Sequence, residues 1–459
     1  MFIGRERELQ ELNRLFESDR FEFAVIYGRR RVGKTALITQ FIRDKDAIYF
    51  MGVESSSKQN LENLSKSIIE YSSGIEADTS FLSFQAALEY VFKLAETKRL
   101  ILVIDEYPYV ARASKSLAST LQMLIDRYRD SSKLMLILCG SSMSYMEDQV
   151  LAYKAPLYGR RSAQFKILPF NFSETCRCFP HFSPEEKALM YGIVGGTPQY
   201  LLQMNDRLSI EENIKNTFLN PNSAIYEEPS SLLKQEVREP SIYNAIITAV
   251  ATGASRMAEI SAKVGEDTSI CSVYIKNLIT LGIIRKESPY GEKSSRRTIY
   301  SIEDNMFRFW YRFVPENNSI IARGAVDLAY KRIEPNLPRY MGHVFEDICT
   351  QYLWSLLLHG KSPVDFSEIG RWWGTDPRTK SQTEIDIMAE QDRHIALFGE
   401  CKWTTQENGK QLTAELLRKA NLLPFAKNYT IVPMLFLKNA PKDDAGNAML
   451  PENVVELMK

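Results

Sequence analysis

A phosphate-binding loop is the clearest chemical feature of the sequence. The run Gly28-Arg29-Arg30-Arg31-Val32-Gly33-Lys34-Thr35 fits the pattern G-x-x-x-x-G-K-[ST], in which successive backbone N–H groups curl around a phosphate. Lys34 adds a charge for the β and γ phosphates, and the Thr35 hydroxyl is a Mg²⁺ ligand. A chance glycine-rich turn is the alternative. An apolar strand before the loop and a helix over Ala36–Ile42 after it favour binding of ATP and Mg²⁺.

An acidic pair supplies the second half of this site. The apolar run Leu100–Ile104 ends in Asp105 and Glu106, and parallel sheets bind ligands at the carboxyl ends of their strands. We expect Asp105 to hold Mg²⁺, directly or through water. We expect Glu106 to polarise the attacking water, since phosphoryl transfer mostly needs positioning and charge neutralisation. A solvated acidic turn would be the better interpretation without the preceding loop.

Two further segments end in polar residues that could reach the same site. Ser141 or Ser142 follows the apolar run Leu134–Cys139 and could sense the γ-phosphate, with a plain strand-to-loop turn as the alternative. Arg160 and Arg161 lie in a loop, and one of them is a candidate arginine finger, in the same chain or from a neighbouring subunit. A surface basic pair is the alternative for these arginines.

A second group of reactive residues lies towards the C-terminal end. Glu384-Ile385-Asp386-Ile387 alternates acidic and apolar residues, and Leu397–Trp403 is predicted to be a strand with Glu400 and Lys402 on one face. Asp386 on an adjacent strand can reach that face. Asp386 and Glu400 would then ligate Mg²⁺, and Lys402 would steady the attacking water or the developing charge, as metal-assisted phosphodiester hydrolysis requires. An ordinary cross-face ion pair is the alternative.

The elements that position these residues predict an α/β protein. Residues 1–170 alternate strand-length apolar runs with helical patterns, which predicts a parallel sheet covered on both faces in a P-loop ATPase core. Residues 171–235 have a helical pattern. Residues 236–315 contain three helices and a hairpin, the pattern of a winged helix-turn-helix. Residues 330–459 begin a new α/β pattern.

The helix-and-hairpin segment is locally basic. Such a surface could bind DNA phosphates, and an intramolecular adaptor is the competing interpretation. Its basic residues are Lys276, Arg285, Lys286, Lys293, Arg296 and Arg297.

Composition narrows the class of protein. Lys plus Arg and Asp plus Glu each number 57, so the net charge is zero and any nucleic-acid contact depends on local patches. The six cysteines are scattered, which favours a reducing setting. The first residues contain no apolar segment, and no apolar run approaches the roughly 20 residues of a membrane span. We therefore expect a cytoplasmic protein with no membrane partner.

The order of several motifs resembles the archaeal-type ATPase family, in the AAA+/STAND branch of P-loop NTPases. These motifs are Phe2-x-Gly4-Arg5-x-x-Glu8-Leu9, Asp105-Glu106, Tyr158-Gly159-Arg160-Arg161 and Gly195-Gly196-x-Pro198. The resemblance covers roughly the first half of the chain. It implies that the first motif packs near the adenine and that the turn ending at Pro198 belongs to a helical lid over the nucleotide. A simple helix breaker is the structural interpretation of that turn, and both can hold.

The C-terminal carboxylates resemble those of the PD-(D/E)XK nuclease fold, a restriction-endonuclease-like α/β domain. On that resemblance Glu346 is the helix carboxylate and a further metal ligand, Asp386 is the central aspartate, and Glu400-x-Lys402 is the E-x-K. One departure is Glu384, which stands where proline precedes the aspartate in the motif. Nuclease-like folds can also lose activity.

These features predict a Mg²⁺-dependent ATPase whose nucleotide state, ATP or ADP, controls a winged-helix and nuclease-like module directed at DNA. The alternative is a regulatory or signalling NTPase switch whose nuclease-like domain is inactive and acts through protein partners. An ATP-dependent homo-oligomer follows if Arg160 or Arg161 completes a neighbour's site.

Overall fold

The chain forms two compact units in the computed structural model. The first contains Met1–Pro169 and Thr197–Gln199, and the second contains Phe170–Gly196 and Tyr200–Lys459. Lys293 and Arg296, two of the basic residues of the predicted hairpin, lie outside the described residues. The structure describes residues 2–74, 79–292, 297–376, 379–405, 407–423, 425–443 and 448–457.

A parallel sheet forms the centre of the first unit. Its strands are β1 (Glu22–Tyr27), β2 (Ala47–Met51), β3 (Leu100–Asp105), β4 (Leu134–Gly140) and β5 (Ala163–Lys166). They are hydrogen-bonded in the order β2-β3-β4-β1-β5, and every described pair is parallel. All residues of β1, β3 and β4 are buried, as continuous apolar strands between two helical layers require. The parallel α/β sheet predicted from the sequence is confirmed.

Helices follow the strands of this sheet and share its core. One apolar cluster joins Leu12 of the first helix and Phe41 of the second to Ile26, Ile101 and Ile137 of three strands. The chain therefore delivers the ends of β1, β3 and β4 to one edge of the sheet. The helices are α1 (Glu6–Glu17), α2 (Lys34–Ile42), α3 (Ser57–Ser73), α4 (Phe84–Leu94), α5 (Tyr107–Ala113), α6 (Leu117–Tyr128) and α7 (Met143–Tyr145), followed by a π-helical turn over Met146–Leu151.

The second unit begins with short helices. Three of them start with a capping box, in which the N-cap side chain and a glutamate three residues later satisfy backbone N–H groups. Capping residues at these positions explain why short segments form helices here. The helices are α8 (Phe172–Cys178), α9 (Pro184–Val194), α10 (Pro198–Leu201), α11 (Ile210–Thr217) and α12 (Glu228–Glu236), and α10 begins within the first unit.

Three helices and an antiparallel hairpin follow. They are α13 (Pro240–Ala251), α14 (Met257–Val264), α15 (Thr268–Thr280), β6 (Ile284–Glu287) and β7 (Ile299–Ile302). Three helices and a hairpin are thus present within residues 236–315, as expected from the sequence.

A mixed sheet with helices on both faces completes the second unit. Apolar residues of α18 and of α19 pack in two separate clusters against the sheet. In the order β12-β11-β10-β9-β8, the strands from β10 to β12 are parallel, and β8 and β9 are antiparallel to their neighbours. The elements are α16 (Asn305–Ile321), α17 (Val326–Ile333), α18 (Leu337–Leu358), β8 (Ile369–Thr375), β9 (Gln382–Gln391), β10 (Ile395–Lys402), α19 (Gly409–Ala420), β11 (Thr430–Leu437), β12 (Ala448–Met449) and α20 (Pro451–Leu457).

Candidate functional site

The phosphate loop joins β1 to α2, and its two outer glycines are required by the backbone. Gly33 has φ +90°, a left-handed conformation that a side chain disfavours, and it is the N-cap of α2. A Cβ at Gly28 would lie 2.3 Å from the carbonyl oxygen of Ile167. Ala36 is exposed in the first turn of α2, where backbone N–H groups have no helical partner. The loop therefore presents a helix N-terminus to an anion.

Lys34 places its charge inside the curve of the loop. Its Nζ donates to the carbonyl oxygen of Gly28 at 2.9 Å and of Arg29 at 3.1 Å. The side chain is buried, with 6% exposed. The ammonium is held by loop carbonyls alone in these bonds, so no carboxylate neutralises it there, and it can meet a phosphate that the loop encloses.

The Asp105 carboxylate, at the end of β3, accepts hydrogen bonds from two hydroxyl groups and from the backbone N–H of Glu106. Its Oδ2 accepts from the Thr35 hydroxyl at 2.9 Å and from the Tyr49 hydroxyl at 2.7 Å. Burial, and then the Asp105 charge, raise the pKa of Tyr49 above its usual range. A hydroxyl and a carboxylate oxygen side by side are the hard ligands that Mg²⁺ prefers, so this pair fits the ion that the loop implies. Tyr49 was not expected from the sequence.

Glu106 lies next to Asp105 and is fixed by a partner from the neighbouring strand. It has φ +49° and is the N-cap of α5. Its Oε2 accepts from the Ser141 hydroxyl at 2.8 Å and from the Ser141 backbone N–H at 3.3 Å. Ser141 therefore orients Glu106, while its role as a sensor of the γ-phosphate stays a prediction.

Two of the motifs that flank the loop in sequence contact it in the structure. Arg5 is buried and donates to the carbonyl oxygen of Val32 at 3.1 Å. Arg29 donates to the Thr197 hydroxyl at 3.0 Å. Pro198 lies against Gly33, since a Cβ there would be 3.6 Å from the proline ring. These contacts hold the loop backbone; adenine binding by the first motif and nucleotide contact by Pro198 stay predictions.

The C-terminal carboxylates lie on adjacent elements of the second unit. Ile387 and Gly399 are opposite each other in β9 and β10, and Asp386 and Glu400 follow at the next positions of the two antiparallel strands. Cross-strand neighbours of this kind have Cβ atoms about 5 Å apart. The Asp386 Oδ2 also accepts from the backbone N–H of Cys401 at 2.8 Å.

Each of the other two carboxylates is neutralised by basic side chains. Glu400 lies 2.7 Å from the Lys402 Nζ and 2.8 Å from the Lys419 Nζ. Glu346 of α18 lies 3.2 Å from the Arg371 Nε, with His343 Nδ1 3.4 Å away. The shared face of Glu400 and Lys402 expected from the sequence is present, and Lys419 is an addition from α19.

Asp386 is the carboxylate whose ionised form is least favourable. Burial, followed by the charges of Glu346 and Glu400, raises its pKa to about 7. The pKa of Glu346 is lowered: burial opposes ionisation, but the hydrogen bond from His343 and the charge of Arg371 outweigh it. The three carboxylates therefore lie close enough to repel one another, and we call them the carboxylate cluster.

The expected metal ligands Asp386, Glu400 and Glu346 are not arranged as a preformed coordination group. Within the described ranges, no set of three or more His, Cys, Asp or Glu side chains is placed to hold a metal ion. The physical reason is that the oxygens of Glu400 and Glu346 face lysine and arginine instead of a common point. A metal at this cluster would have to displace at least one of these cations.

Family comparisons agree with the geometry of the first unit. Residues 2–204 match the family described as an ATPase domain predominantly from Archaea. An uncharacterized protein of Methanocaldococcus jannaschii is 34% identical over 439 residues, which cover 94% of this chain and 95% of that protein. The chain belongs to the archaeal-type P-loop ATPase family. This membership supports ATPase activity and implies nucleotide binding, usually with Mg²⁺.

The other matches of this archaeal-type P-loop ATPase cover less of the chain. An uncharacterized ATP-binding protein of Methanocaldococcus jannaschii is 44% identical over 45 residues, or 10% of this chain and 76% of that protein. The Walker-type ATPase of Pyrococcus abyssi has the same fold at a TM-score of 0.52, with 19% identity over 68% of this chain and 96% of that one. Residues 310–413 match archaeal and bacterial proteins of unknown function.

One of two arginines of the ATPase unit, Arg160 or Arg161, was expected to act as an arginine finger. Arg160 forms a bidentate ion pair with Asp126, with both nitrogen–oxygen distances 2.7 Å. Arg161 lies over the Tyr158 ring, 5.7 Å from its centre. To reach a phosphate, Arg160 would first have to leave Asp126, so the finger stays a prediction for both residues.

Of the basic residues expected on the helix-and-hairpin segment, Lys276 and Lys286 are exposed. Arg285 has only 22% of its side chain exposed, and its Nη1 lies 2.6 Å from Asp347 of α18. The exposed side of α15 carries Ile270, Val273 and Ile279 beside Lys276, and contact of this segment with DNA stays a prediction. In the part of the chain that the structure describes, no helix is long and apolar enough to cross a membrane.

Proposed function

We propose that this protein hydrolyses ATP in a Mg²⁺-dependent reaction at the phosphate loop. The observation that carries the proposal is the connected chain of groups from Thr35 through Asp105 and Glu106 to Ser141. These bonds connect the Thr35 hydroxyl, a candidate metal ligand, to the buried Asp105 carboxylate and to the Glu106 carboxylate, which Ser141 orients.

Different residues of the site have different roles in phosphoryl transfer. The loop N–H groups and Lys34 bind the phosphates, and Thr35 with Asp105 would hold Mg²⁺, which neutralises charge on the phosphate oxygens when bound. Glu106 orients the attacking water and accepts hydrogen bonds from Ser141, so its direction is fixed before substrate arrives.

Glu106→Gln separates binding from hydrolysis. The amide cannot polarise the water as a carboxylate does, so we expect at least a hundredfold lower turnover with MgATP affinity retained. Glu96→Gln, an exposed glutamate of the same unit, is the matched control. Turnover of the Glu106 variant at the wild-type rate would contradict the assigned role.

A second activity is supported by the carboxylate cluster. We propose that it hydrolyses phosphodiesters of nucleic acid with a divalent metal, in a nuclease-like domain. The support is the placement of Asp386 and Glu400 on neighbouring strands with Lys402 on the Glu400 carboxylate. Asp386 and Glu400 would ligate the metal once Lys402 or Lys419 withdraws, and Glu346 is a third ligand in this proposal.

DNA incubated with Mg²⁺ or Mn²⁺ tests this second activity. We expect cleavage by the wild type and none by Asp386→Ala, with Asp365→Ala, an exposed aspartate of the same unit, as control. Intact DNA under every condition would instead favour the regulatory switch, in which an inactive nuclease-like domain acts through protein partners.

Nucleotide control of the second unit is the remaining part of the proposal. In it, the three helices and hairpin act as a winged-helix adaptor of a STAND-type switch, and Arg161 or Arg160 completes the site of a neighbouring subunit. Mixing an Arg161→Ala protein with a Lys34→Ala protein should restore turnover in mixed oligomers. Absence of rescue both with Arg161→Ala and with Arg160→Ala would contradict an intersubunit arginine finger.

A further inference from the structure

A basic cavity of about 510 Å³ lies within the second unit, beside the carboxylate cluster. Elements α13, β7, α16, α18 and β8 contribute its wall. Among the described residues, its wall contains no aspartate or glutamate. A cavity of this volume accommodates a small ligand or a segment of a larger one. Its basic residues are Arg285, Arg308, Arg312, Arg339, His343 and Arg371.

Two of these arginines are held by acids behind the wall. Arg285 lies 2.6 Å from Asp347 and also contacts Glu287 and Glu303 at 3.4 and 3.6 Å. Arg371 lies 3.2 Å from Glu346. In such buried or half-buried ion pairs the acid neutralises the arginine, so the pair adds little net charge to the cavity. The net positive charge of the cavity must come from the remaining arginines.

Arg308, Arg312 and Arg339 supply that charge. Arg308 shares Asp347 with Arg285 at a longer 3.5 Å, and its Nε and Nη2 donate to the carbonyl oxygen of Ile302. Its Nη1 is buried with no hydrogen-bond partner among the described residues. Arg312 is half-exposed and has one ion pair, with Glu316 at 3.5 Å. Arg339 is exposed and forms no ion pair with the described residues. Unmatched guanidinium donors in a cavity favour a phosphate, which accepts two parallel hydrogen bonds from one fork.

Helix geometry directs these groups to one place. Arg308 and Arg312 are four residues apart on α16, and Arg339 and His343 are four apart on α18, so each pair lies on one helix face. Asn336, the N-cap of α18, makes no capping bond through its side chain, and it also lines the cavity. The positive end of a 22-residue helix therefore adds to the arginines.

Two residues of the cavity wall contact the carboxylate cluster. Arg371 and His343 both line it, and both contact Glu346, at 3.2 and 3.4 Å. An anion in the cavity would thus lie one side chain away from the carboxylates. A linear polymer of phosphates can occupy both positions at once, whereas a single phosphate cannot.

We propose that this cavity binds a phosphate of a nucleic-acid strand whose neighbouring phosphodiester lies at the carboxylate cluster. Arg312 and Arg339 bind the phosphate, and Arg308, which also lines the cavity, adds its positive charge. The position of the neighbouring phosphodiester rests on the proposed cleavage activity. The binding of phosphate by the three arginines does not.

Binding without cleavage tests the proposal. Fluorescence anisotropy of a labelled 12-nucleotide single strand would be measured with the full chain in EDTA, so that no metal supports hydrolysis. A charge-assisted contact is worth enough that Arg312→Ala and Arg339→Ala should each weaken binding roughly tenfold. Each should also reduce the slope of log affinity against log salt by about 0.7. Arg332→Ala, an exposed arginine of α17 outside the cavity, is the matched control and should change neither quantity.

The outcomes separate this inference from the cleavage proposal. Wild-type binding by both cavity variants, or no strand binding by the wild type, overturns the inference. Displacement of the strand by micromolar AMP, with the same dependence on Arg339, would assign the cavity to a free nucleotide and also overturn it. Arginine-dependent binding together with no cleavage in Mn²⁺ supports the inference and removes only the cleavage activity.

Discussion

Replacing Asp386 with asparagine should stabilise the second unit in a pH-dependent way. The pKa of Asp386 is raised from 3.8 to about 7 by burial and by the charges of Glu346 and Glu400. Between those pH values the native state binds a proton that the unfolded chain has released, so wild-type stability falls as pH rises. Asparagine does not titrate, and its carbonyl oxygen can still accept the backbone N–H of Cys401.

The size of the effect follows from the shift. About three pKa units correspond to roughly 4 kcal/mol when Asp386 is largely ionised at pH 8, of which roughly 2 kcal/mol is already present at pH 5. We therefore expect the stability advantage of Asp386→Asn to grow by about 2–3 kcal/mol from pH 5 to pH 8. At about 2 °C per kcal/mol for a unit of this size, its Tm gain should rise by about 5 °C.

Thermal unfolding followed by circular dichroism at both pH values measures this difference. Asp365→Asn, at an exposed position, is the control and should show the same Tm change at both. A Tm gain for Asp386→Asn that does not depend on pH, or a loss of Tm that is larger at pH 8, would refute the reasoning that burial and the neighbouring carboxylates disfavour the ionised form of Asp386.

Three further substitutions probe contacts in the two units. Tyr49→Phe removes a hydrogen bond to the buried Asp105 and should lower the free energy of unfolding by about 1.5–3 kcal/mol in guanidinium, whereas no change would show that the phenol is dispensable. Gly28→Ala puts a methyl group 2.3 Å from a backbone oxygen, so we expect loss of MgATP binding in a fluorescent-nucleotide titration; wild-type affinity would contradict the tight loop. Asp347→Ala removes the shortest ion pair of Arg285, which keeps Glu287 and Glu303 at 3.4 and 3.6 Å, and should cost about 3 kcal/mol, the low end for buried pairs; an unchanged urea midpoint would argue against this ion pair.

The sequence was sufficient for the features that local patterns determine. Apolar runs predicted β1, β3 and β4 because buried parallel strands need continuous apolar residues, and the loop motif predicted the start of α2. β5 was missed because its four residues alternate and contain no apolar run. Its neighbour Gly28 is nevertheless tightly packed, which only the pairing of β5 with β1 explains.

Contacts between distant segments could not be predicted in the same way. Tyr49 reaches Asp105 because β2 pairs with β3. The sequence of either strand alone does not show which strand lies beside it. Lys419 reaches Glu400 because α19 packs on β10, which local spacing does not reveal. Arg285 appeared to be part of a basic surface, but the packing of its hairpin against α18 turns it inward to Asp347. Spacing along one strand was enough only for Glu400 and Lys402, which share a face.

Isothermal titration calorimetry with MgATP tests the central claim most directly. The loop and Lys34 should give one saturable binding event in the wild type, and Lys34→Ala should abolish it because the only ammonium inside the described loop is lost. Lys58→Ala, at an exposed lysine of α3, should bind as the wild type does. No saturable heat from the wild type, or equal affinity in the Lys34 variant, would contradict nucleotide binding at this loop.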